Sequence, residues 1–190
     1  MKISTLSILA ALALGPTTFA EDTSVTLKHV HLCCDECVRG VGRSVKGIDG
    51  VTVTSDKDAE TVVLTGSDKR ALQKAADAMA AGGYFGVSEK PKFKPVAVNG
   101  TEGKMVHSMI VTGVHLCCGG CVDAVDRAIK QTPGATGHTA KKHSKTFVVS
   151  GNFNDQKFFE ALQQEGLNGK VTTHAEPDPI EPPSKSKSDH

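Results

Sequence analysis

Apolar and polar positions along the chain recur in one order, twice over. Residues 24–30 are rich in β-branched side chains, and Val38, Val41, Val45 and Ile48 then fall at helical spacing. This predicts a strand followed by a helix over 35–46, ended by Gly47 and Gly50. Val51 and Val53 alternate with threonines, a turn follows at 56–58, and 61–65 makes the next β-rich run, closed by Gly66. Leu72, Ala75, Ala76 and Met79 stripe a second helix over 68–81, Gly82-Gly83 ends it, and 84–89 reads as a last strand. The order is β-α-β-β-α-β.

The second copy repeats that order. A strand over 109–114 leads to a helix striped by Val122, Val125 and Ile129, which stops before Pro133-Gly134. Strands follow at 135–139 and 146–150, Phe158, Phe159 and Leu162 mark the second helix, and 170–174 is the last strand. The fold class is therefore α+β: two tandem ferredoxin-like units, each a four-stranded antiparallel sheet with both helices on one face. Residues 21–90 form the first unit and 107–174 the second. Between them, 91–106 is a linker punctuated by Pro and Gly without a periodic apolar face, expected to separate semi-independent domains. The 175–190 tail, with four prolines and a Lys/Ser/Asp end, is expected to be disordered.

Two short segments change the picture. At the start, Lys2, the apolar run 3–14, Gly15-Pro16 and Thr18-Phe19-Ala20 have the layout of a cleaved export signal over residues 1–20. That run is too short to span a bilayer, so an exported (periplasmic or secreted) protein with no membrane span after signal cleavage is expected. The other feature is cysteine: all six lie in two in-register C-C-x-x-C clusters, Cys33, Cys34, Cys37 and Cys117, Cys118, Cys121, offset by 84 positions and each following Val-His-Leu. A formal charge of +1 gives no electrostatic reason for a nucleic-acid partner. No Ser/His/Asp set, catalytic carboxylate pair or phosphate loop is apparent, so no enzyme is expected.

Two thiols at i and i+3 at a helix start can converge on one ion, and the helix N-terminus favours their thiolate forms. Thiolates suit soft ions such as Cu(I), Hg(II), Zn(II) and Cd(II). His31 and His115, with Cys33 and Cys117, are further candidate ligands that would raise each site toward a closed tetrahedral set. Neighbours in extended backbone point to opposite sides, however, so Cys33 and Cys34 need a turn to share an ion. Two-coordinate capture by Cys34/Cys37 and by Cys118/Cys121 is the expectation. Thiol–disulfide exchange by the same pairs is the alternative, and structural bridging is a weaker one, because such tight loops close almost no chain.

This combination resembles the heavy-metal-associated (HMA) domain family, found in copper chaperones, copper-exporting ATPases and the periplasmic mercury-binding protein. The family's Gly-Met-x-Cys-x-x-Cys motif falls on His31-Leu32-Cys33-Cys34-x-x-Cys37 and His115-Leu116-Cys117-Cys118-x-x-Cys121. Gly83-Tyr84 resembles the Gly-Tyr that often follows the family's second helix, and the second copy has Leu167-Asn168 there. The resemblance implies an exported carrier, buffer or sensor holding one soft ion per domain, Cu(I) ahead of the others. A metal transporter or another metal-binding domain is its implied donor or acceptor. The two sites differ between the paired cysteines: Asp35-Glu36 in the first, Gly119-Gly120 in the second. Acidic neighbours disfavour a thiolate, so the first pair is expected to ionise at higher pH.

Overall fold

The computed structural model describes residues 23–175; the expected export signal and the expected tail beyond Ala175, which itself ends a strand, lie outside them. Two four-stranded antiparallel sheets and four helices make an α+β architecture, consistent with two ferredoxin-like units. The first unit comprises β1 (Thr23–Lys28), α1 (Asp35–Val45), β2 (Thr52–Asp56), β3 (Thr61–Gly66), α2 (Lys69–Ala81) and β4 (Val87–Ser88). The second comprises β5 (Met105–Thr112), α3 (Gly119–Gln131), β6 (Ala135–His138), β7 (Thr146–Asn154), α4 (Asp155–Gln164) and β8 (Lys170–Ala175). Strand orders are β2-β3-β1-β4 and β6-β7-β5-β8, the same permutation twice. No described helix is long and apolar enough to cross a membrane.

Inward positions follow the predicted periods. Val25 and Leu27 on β1 and Val62 and Leu64 on β3 are buried, as are Val41 and Val45 on α1 and Leu72, Ala75, Ala76 and Met79 on α2. Each large apolar side chain so buried contributes roughly 1.5–3 kcal/mol. Where the strands differ from expectation, local causes are visible. β1 stops at Lys28 because His29 takes a left-handed conformation (φ 58°), turning the chain toward the cysteines. β5 begins at Met105 and ends at Thr112, and a bulge between Val106 and Ser108 breaks its alternation. That shift of period conceals the start of the strand from a period-two reading. β7 likewise runs on through Gly151 (φ 131°) to Asn154, burying Phe153.

The segment between the units is tied down. Val96 N–H donates to Asp77, Gln73 donates to the Lys94 carbonyl, and Val171 N–H donates to the Asn99 carbonyl. Fully buried Asp155 accepts from the backbone N–H groups of Glu102, Lys104 and Gln156, with His174 Nε2 at 3.1 Å. Asp155→Ala strips these amides of their acceptor. A loss of about 2–3 kcal/mol in urea-induced unfolding is expected, with metal stoichiometry unchanged because Asp155 does not touch the thiols.

The two units share an interface instead of hanging from a linker. The segment expected as a strand from residue 84 pairs across: Tyr84 makes an isolated antiparallel bridge with Leu167, and β4 is only Val87–Ser88. Phe85 N–H donates to the Gly166 carbonyl and Asn168 N–H to the Gly83 carbonyl, while the Asn168 side chain donates to the Ala80 carbonyl. Gly166-Leu167 thus answers Gly83-Tyr84, one residue earlier than the Leu167-Asn168 expected from sequence. Tyr84 and Leu167 are 1% and 0% exposed, so each unit's core is closed by the other.

A candidate soft-metal centre shared by both halves

Each cysteine cluster sits where a strand gives way to a helix. Cys34 is the N-cap of α1 and Cys118 that of α3, both in extended backbone (φ −158°, ψ 169° and φ −148°, ψ 178°), and neither makes a side-chain cap hydrogen bond. Ser, Thr, Asp or Asn would cap better. Cysteine there leaves the helix N–H groups and the positive end of the dipole facing sulfur. Cys37 and Cys121, one turn on, are fully buried. Leu32 and Leu116, buried at 1% and 4% exposure, anchor the loops from below.

The interface brings all six thiols into one cluster, with none in a disulfide. Within the first pair Cys34 and Cys37 are 3.8 Å apart, and within the second Cys118 and Cys121 are 3.9 Å apart, Sγ to Sγ. Extended backbone at each N-cap throws the preceding cysteine to the other side, and the opposite half lies there. Cys117 reaches Cys34 at 3.3 Å and Cys37 at 3.5 Å; Cys33 reaches Cys118 at 3.0 Å and Cys121 at 3.7 Å. Two sets of four sulfurs result, Cys33, Cys34, Cys37, Cys117 and Cys33, Cys117, Cys118, Cys121, each with all members within 4.8 Å of one another. A tetrahedral ion with metal–sulfur bonds of about 2.3 Å spaces its ligands about 3.8 Å apart. The spacing and softness of the donors both fit such an ion.

The protonation pattern is uneven. Burial opposes ionisation of Cys34, but the N–H groups of Cys37 and Glu36 and the Cys117 thiol stabilise its thiolate and bring it from 9.0 to about 7. Cys121 is also held well below the usual thiol range, chiefly by the Cys37 thiol across the cluster and then by the His31 imidazole. Cys37 is pushed up, chiefly by its partner thiolate at Cys121; burial pushes up Cys33 and Cys117. The acidic pair expected to suppress ionisation in the first site does not hold Cys34 up. Asp35 is bonded to Lys57 at 2.9 Å, and Glu36 is clasped by Arg39 and Arg43, so their charges are answered on the surface.

The two repeated histidines flank the cluster and belong to neither sulfur set. His31, 8% exposed, stands beside Cys121 of the other half, and His115 lies on the Tyr84 ring at a centroid distance of 4.8 Å. Burial holds the His115 imidazole below its ordinary pKa. Among the described residues, His31 Nε2, His115 Nε2 and Tyr84 Oη are buried with no hydrogen-bond partner. His138 and His174 serve structure instead, His138 bonding Asp126 at 2.8 Å and His174 lying by Asp155.

Sequence reasoning missed two glycines that shape the site. A Cβ on Gly40 would fall 1.9 Å from Tyr84 Oη, so the bare helix face admits the ring. A Cβ on Gly120 would lie 3.3 Å from the Cys33 side chain, so this glycine makes room for the incoming sulfur. The in-register comparison of Asp35-Glu36 with Gly119-Gly120 was the available signal.

No family model matches the chain, and no curated protein matches it. Among solved structures, the chain is similar to the N-terminal soluble domains of Bacillus subtilis CopA, in a solution structure. Identity is 16% and the TM-score 0.28, over 82% of this chain and 97% of that one. The case for a metal comes from the thiols.

Proposed function

We propose that this is an exported soft-metal-ion-binding protein, a carrier, buffer or sensor, with Cu(I) as its foremost cargo. The observation that carries this reading is the convergence of six free thiols from both halves on one cluster. Soft thiolate sulfur, with no carboxylate in either four-sulfur set, makes a poor site for Mg or Ca and a good one for soft ions. The partially exposed Cys33, Cys34, Cys117 and Cys118 leave an edge at which a donor or acceptor thiol could exchange ligands. Such a partner would be a metal transporter or another metal-binding domain; export rests on the N-terminal pattern alone. Native mass spectrometry of the reduced chain with Cu(I), Zn(II) and Hg(II) in competition tests the reading. Retention of Cu(I) against Zn(II) supports it, and failure to retain any of the three overturns it.

The geometry also predicts how the site fails. Replacing Cys34 and Cys37 together by Ser leaves Cys33, Cys117, Cys118 and Cys121, a complete sulfur set drawn from both halves. One ion is therefore expected to remain by mass, and replacing Cys117 as well should weaken it further. Thiol–disulfide exchange is a second reading, favoured by the 3.0 Å approach of Cys33 to Cys118. It predicts disulfide-reductase activity toward a small disulfide substrate, which a metal carrier lacks.

A further inference from the structure

We propose that the two halves hold two soft ions as one binuclear centre, with Cys33 and Cys117 bridging and the pairs Cys34/Cys37 and Cys118/Cys121 as terminal ligands. This rests on the soft-metal reading and replaces independent capture of one ion per domain. Cys33 and Cys117 are the members common to both four-sulfur sets. Two four-coordinate ions need eight ligand positions, and six sulfurs fill them only if two sulfurs are shared. The sulfur nearest each terminal pair from outside comes from the opposite half. Cys117 lies within 3.5 Å of both Cys34 and Cys37, whereas Cys33, from their own half, comes within 3.6 Å of Cys37 alone. The same exchange holds on the other side, where Cys117 is 3.7 Å from Cys121.

Bridging thiolates also account for the doubled cysteine in each cluster, which capture by an i, i+3 pair leaves without a use. Six thiolates leave about two negative charges with two divalent ions and about four with two Cu(I) ions, an excess that the N-termini of α1 and α3 face. The thiol protons leave to solvent on binding. The first ion fixes Cys33 and Cys117, the two sulfurs that the second ion also needs, so loading is cooperative.

Cadmium is the probe, because a bridging sulfur couples the nuclear spins of two cadmium ions. At one equivalent of Cd(II) on the reduced full chain, native mass spectrometry should show empty and doubly loaded chains with little of the singly loaded form. Cadmium NMR of the loaded chain should give resonances split by each other. Cys33→Ser with Cys117→Ser should abolish the splitting, bring the singly loaded form to dominance at one equivalent, and weaken Cd(II) retention at least tenfold. Unsplit resonances with statistical loading of the unmodified chain overturn the binuclear centre and leave soft-metal binding standing. Absence of any retained Cd(II) overturns both. The unmodified chain decides by itself, so a misfolded variant does not blunt the test.

Discussion

Gly166→Ala should separate the two halves and dismantle the metal centre, although residue 166 bears no ligand and lies outside both cysteine clusters. Its φ is 76°, a region that costs an L-residue about 1–2 kcal/mol. A Cβ there would fall 2.3 Å from the His29 carbonyl oxygen and 2.4 Å from His31 N. These are backbone atoms, so the interface itself must open. Gly83 makes the mirror contact, its would-be Cβ lying 2.4 Å from the Gly113 carbonyl and 2.7 Å from His115 N. Opening at either place pulls a Val-His-Leu-Cys-Cys segment off the opposite half and withdraws Cys33 or Cys117 from the pair it approaches. Thermal unfolding should fall by several degrees, at roughly 2–4 °C per kcal/mol for a chain of this size. The altered chain should also load Cd(II) statistically where the parent loads it cooperatively. A substitution of similar cost at Asp155 lowers stability without changing loading, and that contrast separates the interface from general destabilisation. An unchanged loading curve for Gly166→Ala would show that the halves do not need each other.

The second large effect concerns pH. In the reduced, metal-free chain at about neutral pH, Cys34 is both partly exposed and about half ionised, while Cys33 and Cys117 are held protonated. Alkylation follows the thiolate and its access, so Cys34 should be labelled at least about tenfold faster than Cys33 or Cys117. Buried Cys121 should lag despite its low pKa. Mapping of labelled peptides against time checks this, and equal rates at the three sites would contradict it. Stability follows from the same shifts. Cys34 and Cys121 are depressed on folding, so their contribution is fully present above the unfolded thiol value near 9. It is lost as pH falls through the folded values, about 7 for Cys34. Cys33, Cys37 and Cys117 are raised, so their contribution is present below about 9 and is lost as pH rises beyond it, when the unfolded chain releases protons that the folded chain keeps. The thiol contribution to metal-free stability should therefore peak near pH 9, a dependence read from urea midpoints across pH. Bound soft ions should abolish the alkaline decline, because ligated thiols have already lost their protons.

The sequence by itself determined the elements and the candidate donors. Period-two and helical stripes, read in two copies, placed the two helices of the first copy within a residue and marked the buried faces of the other two, because each stripe is the imprint of one buried face. Clustering of every cysteine at two strand-to-helix junctions marked the candidate ligands, since soft-metal chemistry depends on residue type and on i, i+3 spacing, both of which are local. The bulge in β5 and the extension of β7 through Gly151 were hidden, because a bulge breaks the period by which a strand is recognised. Only the tertiary structure decided where the doubled cysteines reach. Cys33 and Cys117 also reach the opposite half's pair, and no local pattern states what lies there. The bridge from Tyr84 to Leu167, the close backbone contacts at Gly83 and Gly166, and the room left at Gly40 and Gly120 bring the opposite half there. These contacts join residues far apart in the chain, and no periodicity within either copy encodes them.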